Sequence, residues 1–380
     1  MIKRNLILLW GIALLQGMVF YAPVATLYRQ AAGLGIFHIT LIESISLWLM
    51  LMLEIPWGWL ADRIGYRKTM LVCCFLFFLS KILFWQADGF CGFLLERILL
   101  SVVCAGLSGV DSSMLYLSCE EKDSHRIFSI YENLGQVGIL AAAGIYALWI
   151  GEDYRLAGFL TVISYGAAVL LSLGLKEVAP PRKTGAVSGN MLTVLKKQIG
   201  NPTVLLLLLA VGLLNESHQT ITVFLSQLQY IRAGMGHREI SLAYILMNLA
   251  ALTGVFSVDL CKRTGAKNMG TILLAVAALS CLLLGLFSVP LISVFAVVLL
   301  RLCFSLMQPL QIDLQNRQIT GPDRATSLSM NAVVMESLGI FLNLIFGRLA
   351  EMQLYTAMFL GAALCAVGSI LYWLSFRKCQ

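Results

Sequence analysis

Charge is what this chain has least of. Asp, Glu, Lys and Arg make up 12% of its 380 residues, about half the share typical of a soluble globular domain. With 59% hydrophobic residues and a mean hydropathy of +0.84, it is too apolar for a soluble fold and reads as an integral membrane protein. No phosphate loop of the G-x-x-x-x-G-K-S/T type occurs, so nothing marks an ATP engine of its own. The ten cysteines lack metal-ligand and redox spacing. Cys73, Cys74, Cys104, Cys281, Cys303 and Cys365 sit inside apolar runs as small hydrophobes. His218 and His237 are isolated and make no metal site. A membrane enzyme would need a nucleophile or metal constellation, and none is found, so no cofactor is expected. A non-transporting sensor or scaffold remains the reading from another class, and the lack of a soluble domain counts against it.

What is present is a series of apolar runs of roughly 20 residues or more, the length that crosses a ~30 Å hydrocarbon core as a helix and not as a ~10-residue barrel strand. Counting them predicts twelve transmembrane helices, at 6–28, 37–60, 69–87, 93–118, 127–150, 155–175, 203–231, 239–260, 268–288, 291–318, 326–350 and 354–376. The fold class is therefore an all-α membrane protein. The first run resembles a signal peptide but continues past Tyr21 without a small-residue cleavage site, so it reads as a spanning helix. The net charge of +7 is not a nucleic-acid patch: nineteen of the 27 Lys and Arg fall on one predicted side, four on the other and four in or near helix ends. That asymmetry places both termini in the cytoplasm and the chain in the cell membrane.

The one long connection, 176–202, carries Pro180, Pro181, Gly185, Ser188 and Gly189 and reads as a cytoplasmic linker between two six-helix halves, 1–175 and 203–380. Within it Met191, Leu192, Leu195 and Ile199 recur at helical spacing beside Lys196 and Lys197, an amphipathic helix suited to the lipid surface. The halves repeat. Arg63-Ile64-Gly65 aligns with Arg263-Thr264-Gly265, Arg97 with Arg301, Arg126 with Arg324 and Asn133 with Asn331. An internal repeat of this size is the mark of a rocking transporter.

Three helices carry polar residues at spacings of three and four, which puts them on one helical face. The stripes are Arg97, Ser101, Cys104, Ser108 and Asp111; Asn215, Gln219, Thr222, Ser226 and Gln229; and Arg301, Phe304, Gln308, Gln311 and Gln315. Such faces meet protein or water, because a charge near the bilayer centre costs on the order of 2.5–3.5 kcal/mol. They serve either as glue between helices or as the lining of an aqueous path. Arg97 and Arg301 read as lying toward helix ends, with a snorkelling or structural role as the alternative. In the first helix Gln16, Tyr21 and Pro23 interrupt the apolar run. Seven acids fall within predicted spans: Glu43, Glu54, Asp111, Glu132, Glu216, Asp313 and Glu336. Glu54, Glu132 and Asp313 suit fixed pairs or caps. Asp111, Glu216 and Glu336 suit proton coupling, since a buried carboxyl that is neutral part of the time can load and release a proton. Asp111 lies fourteen residues from Arg97, about 21 Å on a continuous helix, and needs another partner. Lys81 is expected to pair with a carboxylate on a neighbouring helix.

Gly58-Trp59-Leu60-Ala61-Asp62-Arg63-Ile64-Gly65-Tyr66-Arg67-Lys68 reads as a short cytoplasmic turn between the second and third helices. It resembles the signature loop of the major facilitator superfamily, G-x-L-A-D-R-x-G-R-R/K, with Tyr66 where the family prefers arginine. The preceding Glu54-Ile55-Pro56-Trp57-Gly58 looks like the E-I-P-x-G of many bacterial, often drug-efflux-like, members. Leu134 to Ala143 aligns with the antiporter string G-x-x-x-G-P-x-x-G-G, keeping Gly138 but not its proline or first glycine. The resemblance implies alternating access, a gate or latch at Gly58, Asp62, Arg63, Gly65 and Arg67 with Arg263 in the second half, and a cavity lined by the first, fourth, seventh and tenth helices. Gln16, Tyr21, Ser108, Asn215, Gln219, Thr222, Gln308 and Gln311 are then the substrate-binding candidates. The expected function is secondary active transport, proton-coupled efflux of small amphiphilic or cationic compounds first and proton-coupled import of a small polar nutrient second. Expected partners are the small-molecule substrate, protons and membrane lipids, without nucleic acid, for a monomer.

Overall fold

The computed structural model describes residues 2–119, 124–178, 200–318 and 324–377, and within these all side chains except those of residues 2, 3, 55, 58, 59, 61, 62, 125 and 324–326. The amphipathic segment expected around Met191 to Ile199 lies outside the described residues. Among those described, twelve helices are long and apolar enough to cross a membrane. In chain order they are α1 (Ile2–Gly17, resuming as Ala25–Ala31), α2 (Ile36–Ile64), α3 (Tyr66–Gln86), α4 (Gly89–Leu107, resuming as Val110–Leu117), α5 (Ser124–Ile145) and α6 (Tyr154–Leu173). The remainder are α7 (Pro202–Gln219, continuing to Arg232), α8 (His237–Ala251, continuing to Thr264), α9 (Ala266–Leu286), α10 (Pro290–Gln318), α11 (Arg324–Met352) and α12 (Leu354–Arg377).

The interruptions have local causes. Gly65 and Gly265 open α3 and α9 with φ/ψ of 90°/150° and 80°/145°, a region that side chains rarely enter. The repeat seen in the sequence is therefore a repeat of backbone geometry. Gly109, with φ of 81°, breaks α4 where a continuous helix is predicted. In α1 residues 18–21 leave the helix before Pro23 restarts it, again where one helix is predicted. Pro309 inside α10 removes the N–H that would bond the Ser305 carbonyl. Gly254 of α8 takes up the space there: a Cβ on it would lie 3.1 Å from that oxygen.

Contacts divide the chain into two compact units. One holds Met1–Leu34, Ile45–Lys183 and His237–Ile245, the other Gly35–Ser44, Thr184–Gly236 and Leu246–Gln380. In the first unit Leu6, Leu9 and Ile12 of α1 pack with Met70 and Cys74 of α3 and Met114 of α4. There α1 crosses α5 backbone to backbone, because Gly17 faces Gly135 and Gly138 faces the Leu14 carbonyl. In the second unit Tyr372 of α12 is fully buried against Gly270 of α9 and donates to the Ala266 carbonyl at 2.9 Å.

The crossing generates a prediction. A Cβ on Gly138 would strike the Leu14 carbonyl and lie 3.1 Å from the Gly17 Cα, whereas one on Gly144, in the same helix, meets nothing within 4 Å. Gly138→Ala is expected to destabilise the fold by about 1–3 kcal/mol, and Gly144→Ala to leave it unchanged or slightly firmer. Thermal unfolding of both variants in detergent checks this.

Candidate functional site

The tenth helix keeps its stripe. Gln308 donates its amide to Asn215 Oδ1 of α7 at 3.3 Å, and Gln311 donates to Gln308 Oε1 at 2.9 Å. Further along, Asn331 of α11 donates to Gln315 Oε1 at 3.5 Å. Gln308 and Asn215 are half-buried and Gln219 is exposed, but Gln311 is buried. The amides of Asn215, Gln308 and Gln311 thus form a short ladder across α7 and α10, half-buried at Asn215 and Gln308, with the exposed Gln219 one turn further along α7.

On the seventh helix the stripe holds only as far as Gln219. Residues Thr220–Leu225 form a wide π-helical turn, which adds residues per turn and rotates everything after it relative to an ordinary α-helix. Thr222, Ser226 and Gln229, expected beside Asn215 and Gln219, are consequently buried. The Thr222 and Ser226 hydroxyls donate to the carbonyls of His218 and Thr222, each at 2.8 Å, and Gln229 donates to the Phe287 carbonyl at 2.8 Å.

His218 lies with Arg301 and Phe304 of α10. It is 1% exposed, its ring stacks on Phe304 at 3.8 Å with planes 4° apart, and its Nε2 is 3.2 Å from Arg301 Nη1. The guanidinium sits 5.6 Å from the Phe304 ring centre. Guanidinium has donors only, so Nε2 accepts and the neutral ring carries its proton on Nδ1. That atom is buried without a hydrogen-bond partner among the described residues. Arg301 is therefore a mid-helix member of a cluster and not a residue near a helix end. Sequence reasoning missed His218 because its partners lie 83 and 86 residues further along the chain.

Of the three coupling candidates, Glu216 has the most enclosed surroundings. It is 7% exposed, and its Oε1 lies 2.8 Å from the Thr220 hydroxyl, which in turn lies 2.9 Å from Asn343 Oδ1 of α11. Glu43 of α2, also buried, acts on it electrostatically. Glu336 is half-buried on α11. Asp111 is differently placed. The break at Gly109 puts it in the first turn of a new helical segment, where it accepts from the Ser112 N–H at 2.6 Å, a favourable place for an acid. The same break ends the stripe expected from Arg97 to Asp111: Ser101 is buried against Ser46 at 2.7 Å, while Cys104 and Ser108 are exposed. Asp313 pairs with Arg317 at 2.7 Å, and Glu54 and Glu132 are exposed.

The first unit has a separate buried set. Lys81 is 5% exposed and donates to the Tyr21 hydroxyl at 3.2 Å. The rings of Tyr21, Phe77 and Tyr165 surround its ammonium at 5.8, 4.9 and 5.0 Å, a cation–π arrangement. Its hydrogen-bond partner is thus a phenol and not the expected carboxylate, although Glu96 acts on it electrostatically. Glu96, 1% exposed, pairs with Arg29 at 3.8 Å. Tyr21 is stacked on Phe84 at 3.9 Å, and Gln16 reaches Cys74 Sγ at 3.6 Å while its carbonyl accepts from Tyr165. Both substrate-binding candidates of the first helix are thereby engaged in packing. His237, which falls between the predicted spans 203–231 and 239–260, opens α8 and lies 2.5 Å from the Tyr154 hydroxyl.

At the turn between α2 and α3, Arg67 Nε donates to the Leu175 carbonyl at 2.6 Å and its backbone N–H to Glu177 Oε1 at 3.2 Å. Arg63 and Arg263 are exposed, and Gly65 makes the turn. The Asp62 side chain and the surroundings of Gly58 lie outside the described residues.

Twelve spanning helices, a repeated glycine turn and clusters of buried polar side chains at mid-helix define a multi-pass membrane transporter. The sequence model of the Major Facilitator Superfamily matches residues 7–344, and the chain belongs to that family. It is a secondary transporter and not an enzyme. Among solved structures it is similar to a point variant of the nucleoside transporter NupG, with a TM-score of 0.85 at 15% identity over 98% of this chain and 100% of that one. A bacterial homologue of the human lysosomal transporter Spinster, in an inward-facing, unoccupied conformation, gives 0.78 at 15% identity over 99% and 97%. A D-xylose–proton symporter gives 0.76 at 12% identity over 98% and 97%. No curated protein sequence matches the chain.

The shifted register of α7 can be tested directly. In a background freed of native cysteines, Gln219→Cys is expected to react with a water-soluble maleimide, while Gln229→Cys and the fully buried Val211→Cys, Leu214→Cys and Ile221→Cys stay at least tenfold slower. Equal labelling at Gln219 and Gln229 would restore the unbroken stripe.

Proposed function

We propose that the protein imports a small, polar, hydrogen-bonding solute across the cell membrane by alternating access of its two six-helix halves, residues 1–175 and 203–380, coupled to protons. The observation that carries the reading is the half-buried end of the amide ladder, Asn215 and Gln308, with the exposed Gln219, next to Arg301, His218 and Phe304. Amides offer donors and acceptors together, guanidinium adds donors, and an aromatic ring offers a face for stacking. These suit a solute rich in hydroxyl, carbonyl or ring nitrogen groups. Efflux of cationic amphiphiles, the first expectation from sequence, fits less well: the cation on this face is Arg301, and the acids nearby, Glu216 and Glu43, are buried. The names of two structural neighbours, a nucleoside transporter and a D-xylose–proton symporter, support a solute of this kind.

Glu216 is assigned as the proton carrier, because it is buried, bonded to a neutral hydroxyl and has no salt-bridge partner within 4.0 Å among the described residues. Asp111 and Glu336 are the next candidates. The tests use proteoliposomes. Polar solutes are expected to accumulate under an inward proton gradient and to stop accumulating when it collapses, while cationic amphiphiles are not moved. In Glu216→Gln, gradient-driven accumulation is expected to vanish with solute exchange retained. Transport of amphiphilic cations alone would overturn the substrate reading, and undiminished accumulation in Glu216→Gln would overturn the coupling assignment.

A further inference from the structure

The Thr220 hydroxyl stands between two oxygens, 2.8 Å from Glu216 Oε1 and 2.9 Å from Asn343 Oδ1. Thr220 and Asn343 are fully buried, at 0% exposed. A hydroxyl has one proton to donate, and an amide oxygen has none. The arrangement therefore closes only when the carboxyl brings a proton: Glu216 donates to Thr220, and Thr220 donates to Asn343. Once Glu216 is ionised it accepts only, so Thr220 must turn its proton to the carboxylate, leaving the Asn343 oxygen facing a lone pair. A half-turn of the amide removes that conflict. It brings Nδ2 to Thr220 and gives a chain running the other way, from Asn343 through Thr220 to Glu216. The turn forfeits nothing, because Nδ2 has no hydrogen-bond partner among the described residues.

We infer that Asn343, acting through Thr220, is a positioning residue for the transported proton: its side-chain amide turns over when Glu216 loses the proton and turns back when Glu216 regains it. The inference rests on the reading of Glu216 as the proton carrier. The titratable and charged groups on the elements around the carboxyl include Glu43, Arg301, His218 and Glu336. Glu43 of α2 acts on it as a like charge. Arg301 of α10 is directed to His218 and Phe304. On α7 itself the neighbouring titratable group is His218, held by Arg301, and Glu336 lies two turns before Asn343 on α11. One turn after Asn343, Gly347 lies against α2, where a Cβ would sit 3.2 Å from Phe37 Cα and 2.9 Å from Thr40 Cβ. Thr40 in turn precedes Glu43 by three residues. Asn343 thus lies one turn from the place where α11 meets the start of α2.

The experiment is infrared difference spectroscopy of the full chain in lipid nanodiscs through a pH titration. A carboxyl band that disappears in Glu216→Gln and a side-chain amide band that disappears in Asn343→Leu are expected to change with one midpoint. Thr220→Val is expected to keep the carboxyl band and lose the amide change entirely. If Asn343→Leu does not fold, Asn343→Ser removes the amide with a small polar group. An amide band that stays still while Glu216 titrates, or one whose change survives Thr220→Val, overturns the amide switch and leaves Glu216 as carrier. A titration with no band dependent on Glu216 overturns the carrier assignment and the switch with it.

Discussion

A polar group carried into hydrocarbon has to find its partner inside the protein, and the two units meet that demand in different ways. The first unit meets it with charge. Arg29 pairs with Glu96, and Lys81 is held by a phenol and three aromatic rings. The second unit meets it largely with neutral groups: a ladder of amides, a histidine that accepts from one arginine, and a carboxyl bonded to a hydroxyl. Charges held by one another and by aromatic rings fix helices in place. A neutral ladder that is only half-buried at one end has donors and acceptors left for a solute, and a carboxyl without a fixed counter-ion is able to exchange its proton. On that difference we place recognition and coupling in the second unit, as proposed above.

Most of the architecture was legible in the sequence, because a spanning helix is a long apolar run and the runs are separated by polar turns. The repeated Arg-x-Gly turn was legible for a sharper reason: only glycine settles at the backbone angles found at 65 and 265. The α10 stripe survived because Pro309 removes a hydrogen bond without changing the helical period. The α7 stripe failed halfway because nothing in Thr220–Leu225 announces a π-helical turn. The α4 stripe failed because Ser108-Gly109, inside an otherwise apolar run, was read as a helical face when it is the helix end.

The candidate site was legible as a set of residue types and much less so as a set of pairs. Asn215, Gln219 and Gln308 could be named from spacing. The contact of His218 with Arg301 and that of Thr220 with Asn343 could not, since partners separated by 83 and 123 residues leave no local pattern. Glu96 went unnoticed for a similar reason, as its partner Arg29 lies just beyond the predicted first span, 6–28, and on a different helix. Gly138 shows the reverse case. It stood out as a remnant of an antiporter string, and the structure gives it a packing reason, the close crossing of α1 and α5.

The proposed binding face depends on Arg301 being held by His218 next to the amides of Asn215 and Gln308. A double-mutant cycle tests it most directly, with equilibrium binding of the transported solute measured for Arg301→Met, His218→Phe and the pair. Because the guanidinium fixes the tautomer of the imidazole, each single change is expected to weaken binding about tenfold or more and the pair to weaken it little further, a coupling of about 1 kcal/mol or above. Losses that simply add would show two independent residues and contradict the account.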